Sequence, residues 1–220
     1  MLTLYIGNKN YSSWSLRAWV LLKAFGIPFR EQRITLYEPD SSERIRVHSP
    51  SGRLPCLHEG DTIVWDSLAI AEYLAERHPG MWPQAAGARA WARSVAAEMH
   101  SGYSDLRNEF GMNLRIHEKR KPSPAVQSDI ARIVALWREG RARFGHAGDF
   151  LCGAFGIVDA FYCPVAYRFA GYGVALDDVS AAYHRALLSL SAMGEWADDA
   201  SRETEHIAML DGTMAQAQQQ

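Results

Sequence analysis

Every convincing strand signal in this chain lies before residue 80, and the remaining residues read almost wholly as helix. That asymmetry is the strongest constraint the sequence places on a fold. "LTLYI" (Leu2–Ile6) alternates apolar and polar residues, as a strand with one buried face must. Ser13 to Phe25 carries a helical apolar run that stops at Gly26 and Pro28. "PFREQRITL" alternates again, and "RLPCLH" and "TIVW" flank "EGD" as the two arms of a hairpin. Asp66 then opens the helical run "SLAIAEYLAER", which ends at His78-Pro79-Gly80. The order is β-α-β followed by β-β-α. Two strands joined through a helix must run parallel, with a right-handed crossover.

The segment "HPGMWPQ" interrupts this pattern with two prolines and a glycine, the composition of a linker. Beyond it, Trp91, Val95, Met99, Leu106 and Phe110 recur at helical spacing through "ARAWARSVAAEMHSGYSDLRNEF". "EKRKPSP" reads as a charged loop and "AVQSDIARIVALWREGRARFG" as a further amphipathic helix. "GIVDAFYCPVAYRFAGYG" is apolar nearly all round, which predicts a buried central helix. One or two helices follow, and "AQAQQQ" reads as a frayed tail. The expected division is residues 1–79, a linker at 80–85, and an all-helical unit at 86–220.

Composition narrows the function classes. A chain of 220 residues can bury a stable core. A net charge of −2 offers no basic excess for nucleic acid. No apolar run reaches the length of a membrane span and no secretory leader is evident. Cys56, Cys152 and Cys163 are odd in number and lack metal spacing, so a reducing cytoplasm and three small apolar side chains are expected. The eight histidines form no ligand cluster, so no metal is expected.

Five stretches, "YSSWSLR", "SPSGRLPCL", "WDSLAIAEYL", "EMHSGY" and "FGIVDAFYCPVAYRF", occur in the order and separations found in cytosolic glutathione S-transferases, and the chain resembles that family along nearly its whole length. The resemblance implies an α/β plus all-α fold, with a thioredoxin-like β-α-β-β-β-α domain before an all-helical one. It implies glutathione as co-substrate, an electrophilic second substrate, a homodimer, and a role in detoxification. The serine-rich opening is similar to the zeta class and to many bacterial relatives.

Thioredoxin-like redox proteins carry Cys-x-x-Cys at this first strand-to-helix turn, and here Ser12 and Ser15 occupy that spacing. Hydroxyls cannot form a disulfide, but they can donate to a thiolate brought by a ligand. Lowering a thiol pKa from about 8.5 by two units needs roughly 2.7 kcal/mol. A hydrogen bond to a charged group contributes about 1.5–3 kcal/mol, and a helix N-terminus about 0.3–1 kcal/mol. One serine at the helix mouth therefore suffices. The resemblance points to Ser12 as thiolate donor and Ser13 as the alternative, with Ser15 facing the turn or glutathione; the plain alternative is that the serines only cap the helix. Arg17 reads as a surface or dimer-facing charge.

By the same resemblance, Leu54 before Pro55, a proline typically cis in relatives, would pair its backbone with the cysteinyl unit of glutathione. Arg53 would reach the glycyl carboxylate. Asp66 would take the γ-glutamyl ammonium, and Ser67 with the free N–H groups of its helix would take the α-carboxylate. Tyr11, Tyr103 and Arg107, with Met99 and Phe110, are candidates for the electrophile pocket. "FGIVDA" resembles a capping box in which Gly156 replaces the hydroxyl residue and Asp159 remains. Two rival functions stay open: a zeta-like cis-trans isomerase, although Trp14 stands where zeta members have cysteine, and a scaffold that has lost catalysis.

Overall fold

In a computed structural model, which describes residues 1–208, 210 and 211, four strands and the helices assemble as two layers of different character. The strands are β1 (Leu2–Ile6), β2 (Phe29–Arg33), β3 (Cys56–Glu59) and β4 (Thr62–Trp65). The helices are α1 (Ser13–Ala24), α2 (Ser41–His48), α3 (Ser67–Ala75), α4 (Ala86–Ser101), α5 (Ser104–Glu109), α6 (Pro124–Phe144), α7 (Ile157–Gly171), α8 (Asp178–Leu188) and α9 (Ser191–Ser201). The sheet order is β2-β1-β3-β4, with β1 parallel to β2 and antiparallel to β3, as the connections require. Leu2, Leu4 and Ile6 point into the core, so the alternation read from the sequence is the burial pattern of β1. The expected tail "AQAQQQ" lies outside the described residues.

Two elements differ from the sequence reading. Helix α2 has no counterpart among the elements the sequence pattern predicts. Its sequence "SSERIRVH" buries only Ser41 and Ile45, too little apolar surface to create a period. The run from Ala88 to Phe110 is two helices. Gly102 ends α4 by donating to the Glu98 carbonyl, a Cβ there would meet that oxygen at 2.9 Å, and Tyr103 follows in the left-handed region at φ 60°. Met99 and Leu106 are both fully buried, so the apolar spacing survived the break and concealed it.

Helix α7 is buried on nearly every face, as its composition requires. It packs against α1, α4 and α8, so it joins the helical half to the first helix of the sheet half. The N-terminus of α7 explains the missing hydroxyl of the capping box. Asp159 accepts from the Gly156 N–H at 3.0 Å, while a Cβ on Gly156 would meet the Met81 carbonyl at 2.7 Å. That carbonyl already accepts the Ile157 N–H at 3.0 Å and cannot move freely. Gly156→Thr, which would complete the box in sequence, is therefore expected to destabilise the protein by about 1–3 kcal/mol, the usual cost of overpacking. A urea midpoint at or above that of the unsubstituted protein would contradict this.

Candidate functional site

A cleft of about 600 Å³ lies where the sheet half meets α4, lined by Trp14, Ser51, Arg53, Leu54, Pro55, Trp65, Asp66, Ser67 and His100. Three separate stretches of the first eighty residues converge on it: the first turn of α1 through Trp14, the segment before β3, and the end of β4 with the start of α3. The second half of the chain contributes His100. Arg53, Leu54, Pro55, Asp66 and Ser67, expected together from the resemblance, do share this cleft. The Leu54–Pro55 peptide is cis.

Asp66 occupies the N-cap of α3 at φ 74°. Its Oδ1 accepts from the Leu68 N–H at 2.8 Å and the Ala69 N–H at 3.4 Å. Two of the N–H groups expected to be open to a ligand are thus already held by Asp66. Its other oxygen lies 3.2 Å from His100 Nε2. The Ser67 hydroxyl is buried on the cleft wall without a hydrogen-bond partner. An unmet hydroxyl at a helix N-terminus is a ready donor for a carboxylate.

Trp14, His100, Trp65 and Ser51 are cleft residues that the sequence reading missed. Trp14 stands where zeta members have cysteine and His100 lies within "EMHSGY", and neither local pattern marks a cleft residue. The His100 ring packs edge-on against Trp14 with centroids 5.2 Å apart, and its Nδ1 is buried without a partner. Burial holds the imidazole pKa below its ordinary value, Asp66 opposes that, and Arg17 and Arg107 add to it.

Arg17 is the clearest departure from expectation. It is neither surface nor dimer-facing but fully buried, its guanidinium 4.3 Å from the Trp14 ring centroid and 4.8 Å from that of Phe161. Arg107 lies 4.8 Å from the same Trp14 ring. Its guanidinium donates to the carbonyls of Met99, His100 and Gly102 at the end of α4, so it braces the cleft from behind and is not a cleft-lining residue. Burial, then the neighbouring Arg107 and Arg168, push the Arg17 pKa down. Positive charge beneath an indole at the cleft floor favours an anion in the cleft.

The serines do not line the cleft; Trp14 does. Ser12 is the N-cap of α1, yet its side chain makes no capping hydrogen bond. Its Oγ instead meets Ser15 Oγ at 2.7 Å, and Ser15 Oγ accepts the Gly7 N–H at 3.1 Å. Ser13, at the first position of α1, is also buried. The capping alternative for Ser12 is thereby removed, and its hydroxyl belongs to a short polar chain anchored on the backbone.

Two electrophile-pocket candidates are engaged elsewhere. The Tyr11 hydroxyl donates to Asp211 and accepts from Arg115 and from the Ile207 N–H, so it is buried beneath the C-terminal segment. The Tyr103 hydroxyl donates to Glu98 at 2.6 Å, a carboxylate also held by Arg132. Burial, followed by Glu98, raises the Tyr103 phenol pKa. All three thiols are raised by burial, Cys152 to about 12, which leaves them poor nucleophiles near neutrality. Among the described residues no cluster could hold a metal ion, and no helix is long and apolar enough to cross a membrane.

Such a cleft on a four-stranded thioredoxin-like domain, joined to a helical one, defines the glutathione S-transferase fold. A glutathione transferase homolog from Burkholderia GL BGR1, solved with bound glutathione, superposes with a TM-score of 0.69 over 92% of this chain and 99% of its own, at 21% identity. Residues 11–77 match the family model described as glutathione S-transferase, N-terminal domain. Glutathione S-transferase 1 of Dianthus caryophyllus is 28% identical over 80% of each chain. A probable maleylacetoacetate isomerase of Caenorhabditis elegans is 27% identical over 48% of this chain, which spans 49% of that protein. The solved structure shows the shared fold, and the family-model match is to the N-terminal domain over residues 11–77.

Proposed function

We propose that the protein binds reduced glutathione in the cleft, keeps its thiol ionised at the serine turn, and directs the sulfur to an electrophilic carbon. The observation that carries this reading is the convergence of Arg53, Leu54, Pro55, Asp66 and Ser67, from separate stretches, around one cleft in which the Ser67 hydroxyl is unmet. Ser67 serves the γ-glutamyl carboxylate, Asp66 the ammonium, Arg53 the glycyl carboxylate, and the Leu54 backbone the cysteinyl unit. Ser12 donates to the thiolate, with Ser13 as the alternative, and Ser15 supports Ser12. Of the electrophile-pocket candidates Tyr11, Tyr103 and Arg107, none lines the cleft: Arg107 braces it from behind and the two tyrosine hydroxyls are engaged elsewhere. The enzyme lowers the thiol pKa and holds sulfur and electrophile together; the nucleophile itself belongs to the co-substrate.

The organisation 1–79, 80–85 and 86–220, a homodimer, a cytoplasmic location and a detoxifying role belong to the same proposal. Sedimentation of the purified protein tests the dimer. Isothermal calorimetry tests the central claim: glutathione binding in the micromolar to millimolar range is expected, and Ser67→Ala should weaken it about tenfold or more, the loss of one hydrogen bond to a charged group. No heat at millimolar glutathione would overturn the reading and favour a scaffold. The isomerase reading rests on the Caenorhabditis elegans relative. A panel of electrophiles beside a cis-dienoic acid separates the two, since an isomerase returns glutathione unconsumed.

A further inference from the structure

The loop from Gly7 to Tyr11 carries the chain from β1 to Ser12, and the second half of the molecule holds it peptide by peptide. Glu203, just after α9, projects a carboxylate whose side chain is 6% exposed. Its Oε1 accepts the Lys9 N–H at 2.6 Å, and its Oε2 accepts the Asn10 N–H at 3.0 Å. A peptide group is planar, so fixing its N–H also fixes the C=O on its other side. The Lys9 N–H shares its peptide with the Asn8 carbonyl. That carbonyl accepts the Ser12 N–H at 2.8 Å and the Tyr11 N–H at 3.2 Å. The next peptide is clamped at both ends as well, with the Asn10 N–H on Glu203 and the Lys9 carbonyl on Trp196 Nε1 at 2.9 Å.

We infer that Glu203 is a positioning residue for the serine turn: its carboxylate orients the Asn8–Lys9 peptide, and that peptide sets where Ser12 stands. This rests on the glutathione-activating reading proposed above. The carboxylate is itself fixed. Arg33 on β2 approaches it at 3.1 Å, and Arg115 donates to the Glu203 carbonyl. Lys9 Nζ, paired with Glu31 at 2.8 Å and Asp199 at 2.5 Å, ties the same loop to α9. A carboxylate suits two adjacent N–H donors because its two oxygens accept in parallel and its charge strengthens both bonds. None of these groups lines the glutathione cleft, so the effect of Glu203 must travel through the backbone.

The test compares Glu203→Ala and Glu203→Gln with the unsubstituted full-length chain. Two readouts are needed: ultraviolet thiolate titration of bound glutathione, and hydrogen exchange of the Lys9 and Asn10 amides. In Glu203→Ala, amide exchange should quicken about tenfold or more. The bound thiol's pKa should rise by about one unit, while glutathione affinity changes less than about threefold because Arg53, Asp66 and Ser67 are untouched. Glu203→Gln keeps one acceptor oxygen and should fall between, and it supplies the comparison where the alanine variant does not fold. Faster amide exchange with an unchanged thiol pKa would overturn the inference alone and leave Glu203 as a tie between the two halves. Failure of the unsubstituted protein to bind glutathione as thiolate would instead overturn the reading beneath it, and the inference with it.

Discussion

Asp159→Ala is expected to lower the free energy of unfolding by about 3–5 kcal/mol, out of the roughly 5–15 kcal/mol that a folded domain has. Asp159 is wholly buried and serves three donors: the Leu151 N–H at 3.0 Å, the Gly156 N–H at 3.0 Å and the Tyr183 hydroxyl at 2.9 Å. Removing the carboxylate leaves all three in the core unmet, at about 1–3 kcal/mol each. They secure the start of α7, the helix against which α1, α4 and α8 pack. A pH signature separates this role from simple loss of packing. Burial raises the Asp159 pKa to about 6, against an unfolded value near 3.9. The folded state therefore binds more protons than the unfolded one between about pH 4 and 6, and this group's contribution to stability falls as pH rises through that window. Asp159→Asn should be less damaging than Ala and should abolish that slope. Urea titrations from pH 4.5 to 7 measure both effects. A loss below about 1 kcal/mol for the alanine variant would show that α7 is secured elsewhere.

That a buried aspartate would anchor this helix was legible from "FGIVDA", but the reason for glycine in place of a hydroxyl residue was not. The reason is the Met81 carbonyl, some seventy residues away in sequence, and no local pattern announces a contact of that kind. The same distinction runs through the molecule. Strands, hairpin and the apolar central helix follow from local periodicity and punctuation, so they could be read. Helix α2 has one buried apolar residue and therefore no period to read. At the site, the residues that form local motifs, Arg53 to Pro55 and Asp66-Ser67, were anticipated together. Those that matter by long-range placement were not. Arg17 reads as a helix-face charge until the opposing α7 is seen to bury it against Phe161. His100 joins the cleft only because α4 crosses Asp66. Tyr11 neighbours the serines in sequence, yet its hydroxyl is claimed by Arg115, Ile207 and Asp211 from the other half of the chain.

Ser12→Ala is expected to raise the pKa of bound glutathione's thiol by one to two units, about 1.4–2.7 kcal/mol of lost thiolate stabilisation. The hydrogen-bond chain fits the donor role proposed for Ser12. Ser15 Oγ accepts both the Gly7 N–H and the Ser12 hydroxyl, and its own proton is left for another acceptor. With no anion present, Ser12 donates to Ser15. When a thiolate arrives, the hydroxyls can rotate so that Ser15 donates to Ser12 and the Ser12 proton turns to the sulfur. No bond on the Ser15 side is lost in that exchange, so the donation costs little reorganisation. Ser15→Ala should therefore raise the thiol pKa as well, by less than Ser12→Ala, because Ser12 keeps its own proton but loses its partner. At pH 7 the Ser12→Ala variant should lose about 3–25-fold in turnover, in step with the thiolate fraction of a thiol raised from about 6.5 to about 7.5–8.5, and should recover part of it near pH 9 as the thiol ionises unaided. Ultraviolet titration of the bound thiol, run beside the pH–rate profile, tests both halves of the argument. If Ser12→Ala leaves the titration unmoved while Ser13→Ala shifts it, the donor is Ser13; if neither moves it, the thiolate is held by the N–H groups of α1 and the charge of Arg17 beneath Trp14, without a hydroxyl.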